Sequence, residues 1–173
     1  MSDSGEPSSS SEAVGHEPSS SSEAVGHEPS SSSEAVGHEP SSSSEAVGHE
    51  LVYSLYQQGR QRLDGGDPGG AAEVLELAVA HEPTKASLHE TLGRAYFASS
   101  RVAAARAEFE QALRIDPSDA YAHFGVGRCF ERESRLPQAA KHLKLACALA
   151  DNADYRAALD RVLGRLNRSQ AAG

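Results

Sequence analysis

Imidazole and thiolate are the side chains best suited to holding a metal or attacking a substrate, so histidine and cysteine are the first residues to place. The sequence has eight histidines and two cysteines. Four of the histidines, His16, His27, His38 and His49, each close an eleven-residue unit, Glu-Pro-Ser-Ser-Ser-Ser-Glu-Ala-Val-Gly-His, beginning at Glu6, Glu17, Glu28 and Glu39. Even spacing does not make a metal site. Nothing in Ser- and Gly-rich sequence makes these rings converge, so no metal is expected there. His81, His89, His123 and His142 fall in helical patterning. There His89 and His123 read as packing residues with one ring nitrogen satisfied. Cys129 and Cys147 have neither metal-type spacing nor a nucleophile motif, and read as small packing residues. Gly65-Gly66-Asp67-Pro68-Gly69-Gly70 lacks the Lys-Ser/Thr of a phosphate-binding loop and reads as a turn. The expectation is a protein that is not an enzyme and carries neither cofactor nor metal.

A different chemistry recurs. Arg60, Arg94 and Arg128 are spaced 34 residues apart, and Tyr53, Tyr56, Phe97, Tyr121 and Phe124 lie close to them in sequence. Guanidinium groups pair bidentately with carboxylates, and aromatic rings anchor apolar side chains. Arginine is also common on exposed helix faces, where it pairs with a nearby glutamate. The elements that carry the three arginines therefore decide what they can do.

Those elements follow the same period. Leu92-Gly93, Tyr96, Ala105, Phe109, Ala112 and Pro117 define a pattern of sizes. Thirty-four residues later the slots hold Val126-Gly127, Phe130, Ala139, Leu143 and Ala146; thirty-four earlier they hold Gly59, Ala71, Leu75, Ala78 and Pro83. Each unit reads as two amphipathic helices, small where helices approach and large where space must be filled. The spacing predicts helices over 51–64, 70–81, 85–98, 102–114, 119–132 and 136–149. Asp67 is expected to cap a helix with Pro68 in its first turn, and Asp116-Pro117-Ser118 to do the same between the second and third units. A seventh helix, 153–167, has an apolar stripe of Tyr155, Leu159, Val162, Leu163 and Leu166. Its arginines Arg156, Arg161, Arg165 and Arg168 are expected to face water.

This pattern resembles the tetratricopeptide-repeat (TPR) family, whose unit is 34 residues. The resemblance covers residues 52–85, 86–119 and 120–153. Departures are Leu55, His89 and His123 at the slot of a large aromatic, Gln58 and Arg62 in the first unit, and Asp151 in place of the third proline. The resemblance implies an all-α solenoid: a right-handed superhelix of three helix-turn-helix repeats with the seventh helix as its cap. It also implies a concave groove lined by the first helix of each unit. The positions carried over are Tyr53, Tyr56, Arg60, Leu63 and Asp64; Ser87, Glu90, Arg94, Phe97 and Ala98; and Tyr121, Phe124, Arg128, Glu131 and Arg132, with Tyr155 and Ala158 continuing the row. Of these, Tyr53, Tyr56, Arg60, Arg94, Phe97, Tyr121, Phe124 and Arg128 form the candidate site. Some family members clamp the C-terminal carboxylates of heat-shock chaperones, but the clamp slots here read Tyr56, Arg60, Thr91, Tyr121 and Gly125, and the clamp is absent.

The function so implied is a protein–protein interaction scaffold holding an extended or helical segment with acidic and apolar residues. The alternative is a structural protein that self-assembles through an exposed helix face. Charge supports a protein partner. Residues 1–50 carry ten acidic residues and no Lys or Arg, while residues 51–173 hold all sixteen Lys and Arg against fifteen acids. The near-neutral domain lacks the basic excess that nucleic acid requires. No apolar run is long enough to span a membrane, and no secretory signal is seen. The expected protein is a monomer in the reducing cytoplasm. Residues 1–50 read as a disordered acidic tail, which could compete for a basic groove, with residues 170–173 as a disordered end.

Overall fold

The computed structural model describes residues 42–171, with side chains described from residue 47 onward. Seven α-helices and no strand occur among the described residues: α1 (Ser42–Asp64), α2 (Pro68–His81), α3 (Ala86–Ala98), α4 (Val102–Ile115), α5 (Ala120–Arg132), α6 (Leu136–Leu149) and α7 (Ala153–Ala171). Helices α1–α2, α3–α4 and α5–α6 form three hairpins, and α7 packs on the third. The first helices also touch in series, α1 to α3 to α5 to α7, which makes them one continuous row. This is the all-α row of helix hairpins that the resemblance implied.

The period has a packing cause in each unit. A methyl group added at Gly59 would come within 2.5 Å of Leu75; at Gly93, within 2.9 Å of Phe109; at Gly127, within 2.7 Å of Leu143. The missing side chain on the first helix is thus the space filled by the large side chain on the second. Leu75, Phe109 and Leu143 are all buried there.

The turns repeat as faithfully as the core. Gly66, Ser100 and Ser134 hold the same slot and all adopt positive φ, at 80°, 63° and 60°. In every unit the residue after this turn donates its N–H to the carbonyl five back: Asp67 to Arg62 at 2.8 Å, Arg101 to Tyr96 at 2.8 Å, Arg135 to Phe130 at 2.9 Å. The left-handed residue bonds three back, as in a Schellman ending. Glycine adopts this conformation freely and serine at some cost. Ser100→Gly with Ser134→Gly is therefore expected to raise the melting temperature by a few degrees, equivalent to about 1 kcal/mol in total.

Most helix ends fall within two residues of expectation, and three features depart from it more. α1 reaches back to Ser42, so residues 42–50 of the expected disordered tail are helical; the expectation for residues 1–41 lies outside the described residues. The extension includes His49, whose Nδ1 lies 2.6 Å from Glu82 at the end of α2. α7 runs on to Ala171, past the expected 167, and takes in two residues of the expected disordered end; residues 172–173 are outside the described residues. Finally, Asp67 caps α2 as expected, accepting from the Gly70 N–H at 2.9 Å, but α5 is capped by Asp119, which accepts from the Ala122 N–H at 2.9 Å. Asp116 instead binds Ser118 within the connecting turn.

Candidate functional site

The row of first helices carries a line of rings. Tyr121 and Phe124 sit on successive turns of α5 with centroids 5.8 Å apart, Phe124 stacks on Tyr155 of α7 at 4.7 Å, and Phe109 rises from α4 to within 6.3 Å of Tyr121. These spacings suit offset and tilted aromatic pairs. Between α1, α3 and α5 the line opens into a pocket of about 290 Å³, lined by Leu63, Asp64, Arg94, Phe97, Ala98, Phe109, Tyr121, Phe124, Gly125 and Arg128. Gly125 makes the opening. A methyl there would lie 2.7 Å from three atoms of the Phe109 ring, so its absence leaves Phe109 as the floor.

Each of the three in-phase arginines faces a ring. Arg60 stands 5.8 Å over Tyr56, one turn earlier on α1. Arg94 reaches across to Tyr121, 5.5 Å away, and Arg128 lies 5.6 Å from both Phe97 and Phe124. Such contacts fix a guanidinium without using its N–H donors. Neither Arg60 nor Arg94 makes an ion pair with a described residue. Arg128 does: its Nε lies 3.2 Å from Glu131. The Nε–H does not point at that carboxylate, however, and this buried donor has no hydrogen-bond acceptor. The contact is thus ionic attraction with an unmet donor, which is costly in a site screened from water.

Around the pocket the charges are tuned by burial and by arginine. Glu90 is pushed above its ordinary range by burial and by Asp119, against the pull of Arg94. Burial also raises Tyr121 and Tyr155, so both stay neutral hydroxyls. Glu131 is held below the carboxylate range, chiefly by its hydrogen bond from Arg161.

Of the eight candidate residues, Arg94, Phe97, Tyr121, Phe124 and Arg128 are brought together in this pocket. Tyr53 and Tyr56 line a separate hollow of about 230 Å³ with Val52, Lys85, Ser87 and Leu88. Arg60 lines neither and is exposed. Tyr155 and Ala158 are buried under the row rather than presented on it. The sequence reading missed Gly125 as an opening and Phe109 as a floor. Arg161 is exposed as expected, but the sequence reading gave it no partner, whereas its Nε and Nη2 donate to the two oxygens of Glu131 at 2.7 and 2.9 Å. Arg165 Nη1 lies 3.7 Å from the same carboxylate.

The histidines serve the frame. His89 contacts both Glu108, at 2.7 Å, and the Pro83 carbonyl, at 2.8 Å, so both ring nitrogens are engaged rather than one. His123 repeats the second contact on the Pro117 carbonyl at 3.2 Å, but the slot of Glu108 now holds His142, and the two Nδ1 atoms are 3.2 Å apart. Burial, then His123, then Lys141 lower His142, and Glu110 opposes them. The folded state thus favours neutral His142. An unfolded imidazole takes its proton near pH 6.5, so this pair costs stability as pH falls through about 6.5 and nothing above it. His142→Glu should restore the His–carboxylate contact of the second unit. Its melting temperature is expected to exceed that of the parent by a few degrees near pH 5.5, about 1 kcal/mol, with the gap narrowing by about pH 7.5. Thermal melts of both proteins across this range check it.

Burial pushes the Cys129 thiol up to about 12, which makes it inert, and neither Cys129 nor Cys147 is in a disulfide.

Comparison with known proteins agrees with this architecture. The family model described as tetratricopeptide repeat matches residues 56–120 and 90–154. No curated protein matches the sequence. Among solved structures, the first TPR of Spaghetti (RPAP3) bound to the HSP90 peptide SRMEEVD is 18% identical, with a TM-score of 0.66 over 68% of this chain and 94% of that one. The second TPR domain of human RPAP3 in complex with the HSP70 peptide SGPTIEEVD is 20% identical, with a TM-score of 0.63 over 66% and 97%. The Yersinia enterocolitica type III secretion chaperone SycD, in complex with a peptide of the translocator YopD, is 16% identical, with a TM-score of 0.62 over 67% and 95%. At these identities the likeness is one of fold.

Proposed function

This chain belongs to the tetratricopeptide-repeat family, and from that premise we propose that it is a protein-interaction scaffold that holds a segment of another protein along the row of its first helices. The observation that carries this reading is the pocket between α1, α3 and α5. Its floor and walls are Phe97, Phe109, Tyr121 and Phe124, and its rim carries Arg94 and Arg128. An apolar side chain of the partner enters the aromatic hollow and displaces water. A flanking carboxylate accepts from the guanidiniums that the rings hold in place. The peptide complexes of three TPR relatives support a peptide as the kind of ligand such a row takes. They do not name this chain's partner, since the clamp slots here hold Tyr56, Arg60, Thr91, Tyr121 and Gly125.

The test is affinity capture with the full chain as bait, beside Arg60→Ala/Arg94→Ala/Arg128→Ala. A partner captured by the parent should bind the triple variant at least tenfold more weakly, about 1.4 kcal/mol, with an unchanged helical spectrum. Equal capture by both proteins would end the arginine reading. Because Arg60 lines neither hollow, Arg60→Ala alone is expected to contribute the least of the three.

One observation favours the alternative of self-assembly. Leu145 and Leu149 are 40% and 45% exposed on α6, where Leu145 lines a hollow with Pro137, Ala140, Ala148 and the lysines Lys141 and Lys144. Light scattering separates the two readings: a constant monomer mass across micromolar concentrations supports the scaffold, and a stable dimer supports assembly.

A further inference from the structure

The pocket accounts for Arg94 and Arg128 but not for the charge beside it. Where α5 meets α7, the guanidiniums of Arg128, Arg132, Arg161 and Arg165 surround a hollow of about 340 Å³, completed by Ser134 and by a single carboxylate, Glu131. Glu131 cannot satisfy this group. Its two oxygens are taken by the bidentate pair from Arg161. Arg165 stands off at 3.7 Å, and Arg128 approaches without a hydrogen bond. Arg132 stacks 4.1 Å over Phe97 and extends one weak bond, 3.4 Å, to the Phe97 carbonyl. Four guanidiniums present about twenty N–H donors, against about four acceptor sites on one carboxylate. Four positive charges against one negative leave a local excess of three on this surface.

The arrangement is also preorganised. The Arg161–Glu131 pair ties α7 to α5, and Phe97 holds both Arg128 and Arg132 by their faces. A guanidinium fixed by its face loses less side-chain freedom when its edge meets an anion. Arg128 belongs both to this hollow and to the aromatic pocket, so the two are contiguous.

We propose that this α5–α7 cluster is a second subsite that binds adjacent carboxylates of an acidic peptide stretch, next to the aromatic pocket. The proposal deepens the scaffold reading and rests on it for the ligand being a peptide. A partner segment would then carry its apolar anchor at Phe97 and Phe124 and its acidic run towards α7, with Glu131 as the internal carboxylate that keeps the fan of arginines in place.

The probe is fluorescein-labelled hexaglutamate added to the full chain, with a Gly-Ser hexapeptide as control. Binding of hexaglutamate is expected to weaken at least tenfold in Arg132→Gln/Arg165→Gln, and to weaken steeply with added salt. Arginine Nε–Hε signals of Arg128, Arg132 and Arg165 should shift on titration while that of Arg60 stays still. Arg161 is kept, so Glu131 retains its partner. If the double variant melts early, Arg165→Gln alone should still weaken binding, since it gives up only the 3.7 Å contact. Hexaglutamate that fails to bind, binds the double variant equally, or shifts Arg60 as much as Arg132 overturns the subsite. Its binding at the cluster upholds the subsite even where the triple alanine variant captures its partner normally, an outcome that would remove only the arginine reading of the pocket.

Discussion

Phe109→Ala is expected to cost about 3–5 kcal/mol, a large part of the whole stability of a domain of this size. Phe109 is 2% exposed and fills space against two units. Its ring lies where a Cβ of Gly93 on α3 would be and also where a Cβ of Gly125 on α5 would be. The hole left by alanine is therefore walled by helix backbone on two sides, and backbone collapses less readily than side chains can reorient. The converse substitution reports the same contact. Gly125→Ala gains helix propensity, about 1 kcal/mol, but drives a methyl into a locked ring, which should cost about 1–3 kcal/mol. In a Phe109→Leu background that clash is relieved. The double variant should then be more stable than the sum of the two single changes by about 1 kcal/mol or more. Chemical denaturation of the four proteins reads this coupling directly. Additivity within error would show that Phe109 and Gly125 do not share the space assigned to them. Since Phe109 is also the pocket floor, Phe109→Ala should weaken partner capture even under conditions where it remains folded.

The same contact explains what a reader of the sequence could see. Gly59, Gly93 and Gly127 pair by size with Leu75, Phe109 and Leu143, and a size pattern is written in the residues themselves. Hence the hairpins, their order and the cap were legible. Boundaries were less so. Ser42–Glu50 have weak helix propensity and repeat a motif rich in Ser, Gly and Pro, yet α1 continues through them, with His49 bonded to Glu82 thirty-three residues away. Propensity carries no trace of that contact. Asp116 and Asp119 are chemically equal candidates for a cap, and only the backbone path of the turn chooses between them.

The site divides in the same way. The arginine period and the rings were visible; which of them share one hollow was not. Gly125 lies one residue past Phe124, where the sequence shows only an unfilled clamp slot; it matters because of what its missing side chain uncovers on another helix. Arg161 and Arg165 lie on the polar side of an amphipathic pattern. Such a pattern separates apolar from polar, but does not say which polar residue meets a carboxylate thirty positions earlier.

That carboxylate makes α7 the element whose loss should be felt most. Deleting residues 153–173 is expected to unfold or aggregate the chain. α7 buries Tyr155, Ala158 and Val162 against the third hairpin, with Leu159, Leu163 and Leu166 packed beside them. Burying a side chain the size of valine or tyrosine contributes about 1.5–3 kcal/mol, so the apolar loss alone approaches about 5 kcal/mol. It also bares the end of a solenoid, which needs a covering helix to stay soluble. Electrostatics add to this. Glu131 is nearly buried and takes its two hydrogen bonds from Arg161; without α7 it keeps only the unaligned contact with Arg128. Stranding one partner of such a pair costs about 3–5 kcal/mol when it is fully enclosed, and less as water reaches it. The two losses can be told apart. Glu131→Gln in the truncated chain removes the stranded charge but restores no apolar cover, so it should recover part of the helical signal without removing the aggregation. Circular dichroism with light scattering reads both, and a truncated chain that stays monomeric with unchanged melting would show that the third hairpin needs no cap.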